Sequence, residues 1–403
     1  MDSFEPAFVY GLAALAALAA LLGGTLIIWL KRRGSSATRP APTLPASTTP
    51  RARASPVRAA AIRARAPAGT RPPPALAQVL ALISDEHYTL LSEALTATCV
   101  RVNSATELSS KAARRSAAVF VDVERLPELK GDLANLPIVL IVDAPPAKTR
   151  STIVELMEAH PSIGHVVAGP LLSTPLGRTH LHNLVERLAA GSEHDLLDSA
   201  SVGRVAMLAQ ASRRDLRFER MQTYFSKQGI SPRIIAAIYE VAEELVMNAL
   251  YNAPTEAGYF KTPVSRTEDV TLPMDRACEI SYGIEAGHAF VRLRDTFGSL
   301  RRQRLFEVLA RCNKDAVSLD ESRGGAGLGI WRVFTVATTI AITVIPGRLT
   351  DVLVRMMPKT SKAPKHLLAV DLYFLADSDE ASEVLVVEPD SALVDHSVTM
   401  IQN

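Results

Sequence analysis

Residues 231–252 read SPRIIAAIYEVAEELVMNALYN. Ser231 followed by Pro232 is a helix start, with Ser as N-cap and Pro at the first helical position, where its missing N–H costs nothing. Ile234, Ile238, Val241, Leu245 and Val246 fall on one side of the helix this predicts and form its core-facing surface. Glu240, Glu244, Asn248 and Asn252 recur every fourth residue and share a neighbouring face. Carboxylates and carboxamides beside a buried surface need partners, which Mg²⁺ and nucleotide phosphates would supply. A solvent-facing polar stripe explains the same spacing, so the helix alone leaves both readings open.

The next segments bear on that choice. Residues 279–285 and 289–293 read as antiparallel strands joined at Gly287, and the second delivers Arg294-Asp295-Thr296-Phe297-Gly298 at its end. A carboxylate there can accept a hydrogen bond from an exocyclic amine, and Gly298 permits close backbone approach. A helical stretch to about Cys312 and a polar loop, 313–323, lead to Gly324-Gly325-Ala326-Gly327-Leu328-Gly329, which opens an apolar helix through Thr338. Glycines at a helix N-terminus let backbone N–H groups surround an anion, where the helix dipole favours negative charge. The box follows a polar loop instead of a buried strand, which argues against a dinucleotide fingerprint, and no Gly-Lys-Ser/Thr is present to make a P-loop. Strands expected at 339–345, 351–356 and 367–374 complete a sheet.

An Asn-bearing helix, a strand-end Asp with Gly, a lid-like loop and a glycine box in this order resemble the GHKL superfamily, the ATPase domains of gyrase, heat-shock chaperones, histidine kinases and mismatch-repair proteins. The resemblance covers about residues 202–374 and implies a two-layer α/β sandwich that binds ATP and Mg²⁺. It implies that Asn248 holds Mg²⁺ with Asn252 beside it, that Asp295 and Gly298 meet the adenine, and that Gly325, Gly327, Leu328 and Gly329 line the phosphates. Glu244 falls where anti-sigma serine kinases carry their catalytic base. The family's Asp-x-Gly-x-Gly is broken here by Phe297 and Ser299, which narrows the room near the adenine. Tyr251 and Asn252 stand where a basic residue often follows the Asn. There is no clear helical hairpin with a phosphorylatable His upstream, His194 in a polar connector being the nearest candidate.

Between residues 75 and 191, β-branched runs at 79–83, 117–121, 138–142 and 165–167 alternate with helical patterns, as a doubly wound parallel sheet requires. Asp85, Glu86, Asp122 and Asp143 fall at the carboxyl ends of these strands, where such sheets carry function. This region resembles the flavodoxin-like receiver domain of two-component signalling, with Asp122 at the phospho-acceptor position. Val142 and Asp143 stand where receivers carry Thr or Ser, and the lysine expected near residues 172–175 is missing. The alternative is a pseudo-receiver used for docking or dimerisation.

Residues 7–30 are apolar and uncharged, long enough for the roughly 20 residues of a membrane span, and Lys31, Arg32 and Arg33 follow. The positive-inside rule then predicts a single-pass inner-membrane protein, N-terminus outside and the remainder cytoplasmic, with a cleaved signal peptide as the competing reading. Residues 31–74, Arg-, Pro- and Ala-rich, read as a disordered tether, and nucleic acid is an unfavoured partner. The formal net charge is only +2, and three scattered cysteines indicate neither a disulfide framework nor a zinc site.

The expected organisation is therefore α/β throughout: a transmembrane segment (1–30), a linker (31–74), a receiver-like domain (75–191), an ATPase-type domain (196–377) and an acidic tail (378–403). The expected function is an ATP- and Mg²⁺-binding signalling protein that phosphorylates Ser or Thr of an unidentified partner of the anti-sigma or response-regulator kind, with homodimerisation anticipated. A non-catalytic scaffold and a histidine kinase acting with a separate acceptor domain are the alternatives.

Overall fold

The computed structural model describes residues 78–108, 116–129, 137–144, 148–160, 163–190, 195–197, 201–313, 328–357 and 366–375. In chain order the elements used below are β1 (Gln78–Leu82), α1 (Asp85–Ala94), β2 (Thr98–Arg101), β3 (Ala118–Asp122), β4 (Ile138–Val142), α2 (Thr149–Ala159), β5 (His165–Ala168) and α3 (Pro175–Ala190). They continue with β6 (Val202–Leu208), α4 (Arg214–Lys227), α5 (Pro232–Met247), β7 (Cys278–Glu285), β8 (His288–Asp295), α6 (Arg302–Asn313), α7 (Leu328–Val336), β9 (Thr339–Ile345), β10 (Leu349–Met356) and β11 (Ala369–Phe374).

The first five strands are parallel in the order β2-β1-β3-β4-β5, the doubly wound arrangement in which apolar, β-branched runs such as Ile138–Val142 are covered on both faces. The remaining strands run β11-β9-β10-β8-β7-β6, antiparallel apart from the β9/β11 pair. The two sets are one sheet. β11 pairs antiparallel with β5 through Ala369 and Val167, and parallel with β9 through Ala369 and Thr339. This corrects the expectation of a flavodoxin-like module and a two-layer sandwich with separate sheets. β11 has a partner on each edge, so its backbone groups close the gap between the halves.

Two apolar layers cover the sheet. One is built on α2, α4, α5, α6 and α7, through residues such as Ile153, Phe218, Ile238, Leu309 and Phe334. The other is built on α1 and α3, through Leu91, Leu181 and Leu184 against Phe120, Phe290 and Leu353. α3 crosses from the parallel half onto the other strands: Arg187 donates to the Thr343 hydroxyl (2.6 Å) and lies over the Tyr373 ring. Under the same layer Arg292 makes a two-pronged pair with Asp351 (2.9 and 2.6 Å), tying β8 to β10.

Among the described residues no helix is long and apolar enough to cross a membrane. α3 and α5, at sixteen residues each, span only about 24 Å, short of the roughly 30 Å hydrocarbon layer, and both carry charged side chains. The transmembrane element and the single-pass inner-membrane location are corrected accordingly. Residues 7–30, on which both rested, lie outside the described residues, as do the linker 31–74 and the tail 378–403.

Candidate functional site

α5 starts as its sequence dictates, with extended backbone at Ser231 and Pro232 in the first turn. Ile234, Ile238, Val241, Leu245 and Val246 are buried against the sheet. At Asn248 the helix widens into a π turn, Asn248–Asn252, before resuming over Ala253–Glu256. Such a widening breaks the regular backbone pairing and is commonest where side chains must be re-aimed.

The polar row on α5 is internally bonded. Asn252 donates its amide to Asn248 Oδ1 (2.6 Å), and Asn248 is in turn hydrogen-bonded to Glu244. Arg266 comes within 3.7 Å of the Glu244 carboxylate. Burial pushes the Glu244 carboxyl above the usual carboxylate range, against the pull of Arg266 and Asn248. One turn earlier, Glu240 pairs with Arg332 of α7 (2.8 Å).

Gly329, in the first turn of α7, lies directly on this row: a Cβ there would overlap the Glu244 carboxylate. Only a glycine lets the N-terminal turn of α7 approach the acid so closely. Leu328 is the first residue of α7, while Gly325 and Gly327 lie outside the described residues, as does most of the loop expected to act as a lid.

Asp295 closes β8 and is buried, at 4% exposure. Its Oδ1 accepts the N–H groups of Phe297 (2.9 Å) and Gly298 (3.3 Å), and Thr350, its register partner on β10, supplies a further hydrogen bond. Burial drives its pKa up to about 6 even so. Gly298 has φ +57°, and a Cβ on it would meet the Ile345 carbonyl and the backbone of Gly347 and Arg348. The close approach this glycine permits is therefore to the β9–β10 turn. Phe297 is buried, stacked edge-on against Tyr259 (5.7 Å) with Arg276 over its ring, and fills space that a glycine would leave open.

Sequence reasoning did not find Thr350, Arg266 or Arg332. Thr350 acts through strand register, and the two arginines meet their carboxylates across 22 and 92 residues of chain, distances at which no local pattern signals a pair.

Asp122 belongs elsewhere. Following strand directions across the sheet, the carboxyl ends of β3 and β8 emerge at opposite edges, six strand spacings or about 29 Å apart. Asp122 is buried, its Oδ2 accepting the Ser84 N–H (2.7 Å) and its Oδ1 2.7 Å from His87 Nδ1. Burial pushes its carboxyl up, but the hydrogen bonds from His87 and Ser84 outweigh it and hold the pKa below the ordinary value. His87 Nε2 faces Asp143 (3.4 Å), so the imidazole sits between Asp122, expected as the phospho-acceptor, and Asp143, which stands where receivers carry Thr or Ser. Asp85 turns away to pair with Arg101.

No family model matches the chain, and no curated protein matches it either.

Proposed function

We propose that the chain binds ATP with Mg²⁺ where the start of α7 meets α5, with Asp295 of β8 serving the adenine, and that it serves signalling by transferring the γ-phosphoryl group to a Ser or Thr of a partner protein. The observation that carries this reading is the seating of the glycine-bearing first turn of α7 on Glu244, beside Asn248. An anion-favouring helix start and a row of oxygen ligands are thereby placed together.

The residues fit a hard cation with phosphates. Asn248, Asn252 and Glu244 offer carboxamide and carboxylate oxygens, the donor class Mg²⁺ takes, and all three are partly exposed. Asn248 would hold the ion, which when bound would neutralise charge on the phosphates. Turning the Asn252 amide away frees Asn248 Oδ1 for that task. Glu244, its carboxylate made more basic by burial, is suited to take the proton from an attacking hydroxyl or water. Phosphoryl transfer asks for little more than such positioning and charge. Asp295 would accept the adenine amine through Oδ2, since Oδ1 already holds two backbone N–H groups.

A second reading has its own support. Phe297 fills the space beside Asp295, and the carboxylate is largely satisfied by its own turn, as expected of a non-catalytic scaffold on an ATPase-like frame. Titrating the full chain with ATP, with Mg²⁺ and with EDTA, separates the two. Saturable Mg²⁺-dependent binding supports the first, and no binding at millimolar ATP leaves the second.

A further inference from the structure

β6 is the last strand of the sheet among the described residues, and its outer edge is unpaired there. Val205 and Met207 on this strand are 59% and 41% exposed. Beside it, a groove of about 370 Å³ lies between β6 and α4. Arg204 comes from the strand, and Arg217, Arg220, Tyr224 and Lys227 come from one face of the helix. The Arg204 guanidinium lies 5.9 Å from the centre of the Tyr224 ring, which packs on Tyr282 at 5.5 Å. Among the described residues none of the four cations forms an ion pair. An open strand edge next to concentrated positive charge calls for an extended, acidic occupant.

The chain itself contains one. Residues 376–403 hold seven carboxylates and no Lys or Arg, and the apolar run Val384-Leu385-Val386-Val387 is bracketed by Glu383 and Glu388. We propose that this segment docks on its own chain, the apolar run adding along the free edge of β6 and the acids beside it meeting Arg204, Arg217, Arg220 and Lys227. β11 ends at Phe374, five strand spacings or about 24 Å from β6. Residues 376–383 can extend about 26 Å, enough to bring Glu383 to the groove and the later acids further along it.

Hydrogen exchange of the β6 amides in the full chain tests this. Three forms are compared: the unchanged chain, one with the seven acids of residues 376–403 changed to their amides, and one carrying Arg217→Glu and Arg220→Glu. Both variants are expected to exchange at least tenfold faster at β6, with β8 and β10 unchanged as the control for folding. Protection that is the same in all three forms, or lost only in the arginine variant, overturns the proposal. Protection that rises with protein concentration also overturns it, because the occupant is then a second copy.

Discussion

Gly329 rests against the carboxylate of Glu244, leaving no room for a side chain between the first turn of α7 and the polar row of α5. Glu240 and Arg332 clamp the same two helices one turn away. The contact sets the floor of the proposed phosphate site, and substitution at either residue reads out differently from substitution at the other glycine of the site.

Gly329→Ala meets only the far end of a flexible acid, which can swing aside. It is expected to cost about 1 kcal/mol or less in urea unfolding, while displacing Glu244 and weakening Mg²⁺-ATP binding at least tenfold. Gly298→Ala meets backbone atoms at a positive φ, so it should cost more, on the order of 2–4 kcal/mol. Equal stability losses for the two would contradict the contacts described.

Asp295 makes stability depend on pH in an unusual direction. Its pKa rises from 3.8 to about 6 on folding, so the folded state binds the proton more tightly than the unfolded one. The protein therefore loses stability as pH rises from about 4 through about 6, by at most about 3 kcal/mol for this group. Asn at this position keeps an oxygen for the Phe297 and Gly298 N–H groups without the charge. The stability of Asp295→Asn relative to the unchanged chain should rise across that interval, and a flat difference between pH 4 and pH 7.5 would contradict the burial argument.

His87 and Asp122 each favour the other's charged form. The hydrogen bond that His87 donates to Asp122 raises the His87 pKa, so its contribution is complete below about 6.5 and is lost as pH rises through the folded value. Asp122, depressed, contributes above about 3.8 and loses that as pH falls through its own folded value. His87→Ala strands a buried carboxylate and should cost about 2–4 kcal/mol near pH 5.5, and less at pH 8. A pH-independent loss would show that packing alone is at work.

Several features were legible in the sequence because they are local. The Ser231-Pro232 start, the apolar face through Val246 and the β-branched runs near Val79 and Ile138 each follow from spacing a few residues long. The single sheet was not, since it depends on β11 pairing with β5 across 206 residues, as in the His165–Asp371 hydrogen bond. Gly298 was legible as a point of close approach, but not that the β9–β10 turn is what approaches. His87 was overlooked because a lone His on a helix carries no signal until Asp122 and Asp143 close around it.

Calorimetric titration of the full chain beside Asn248→Ala and Asp295→Asn asks whether α5 and β8 carry a working Mg²⁺-ATP site. Saturable, Mg²⁺-dependent binding in the micromolar to millimolar range is expected, lost in both variants while both remain folded. No heat from the folded, unchanged chain at millimolar ATP, or binding untouched by either substitution, would contradict it.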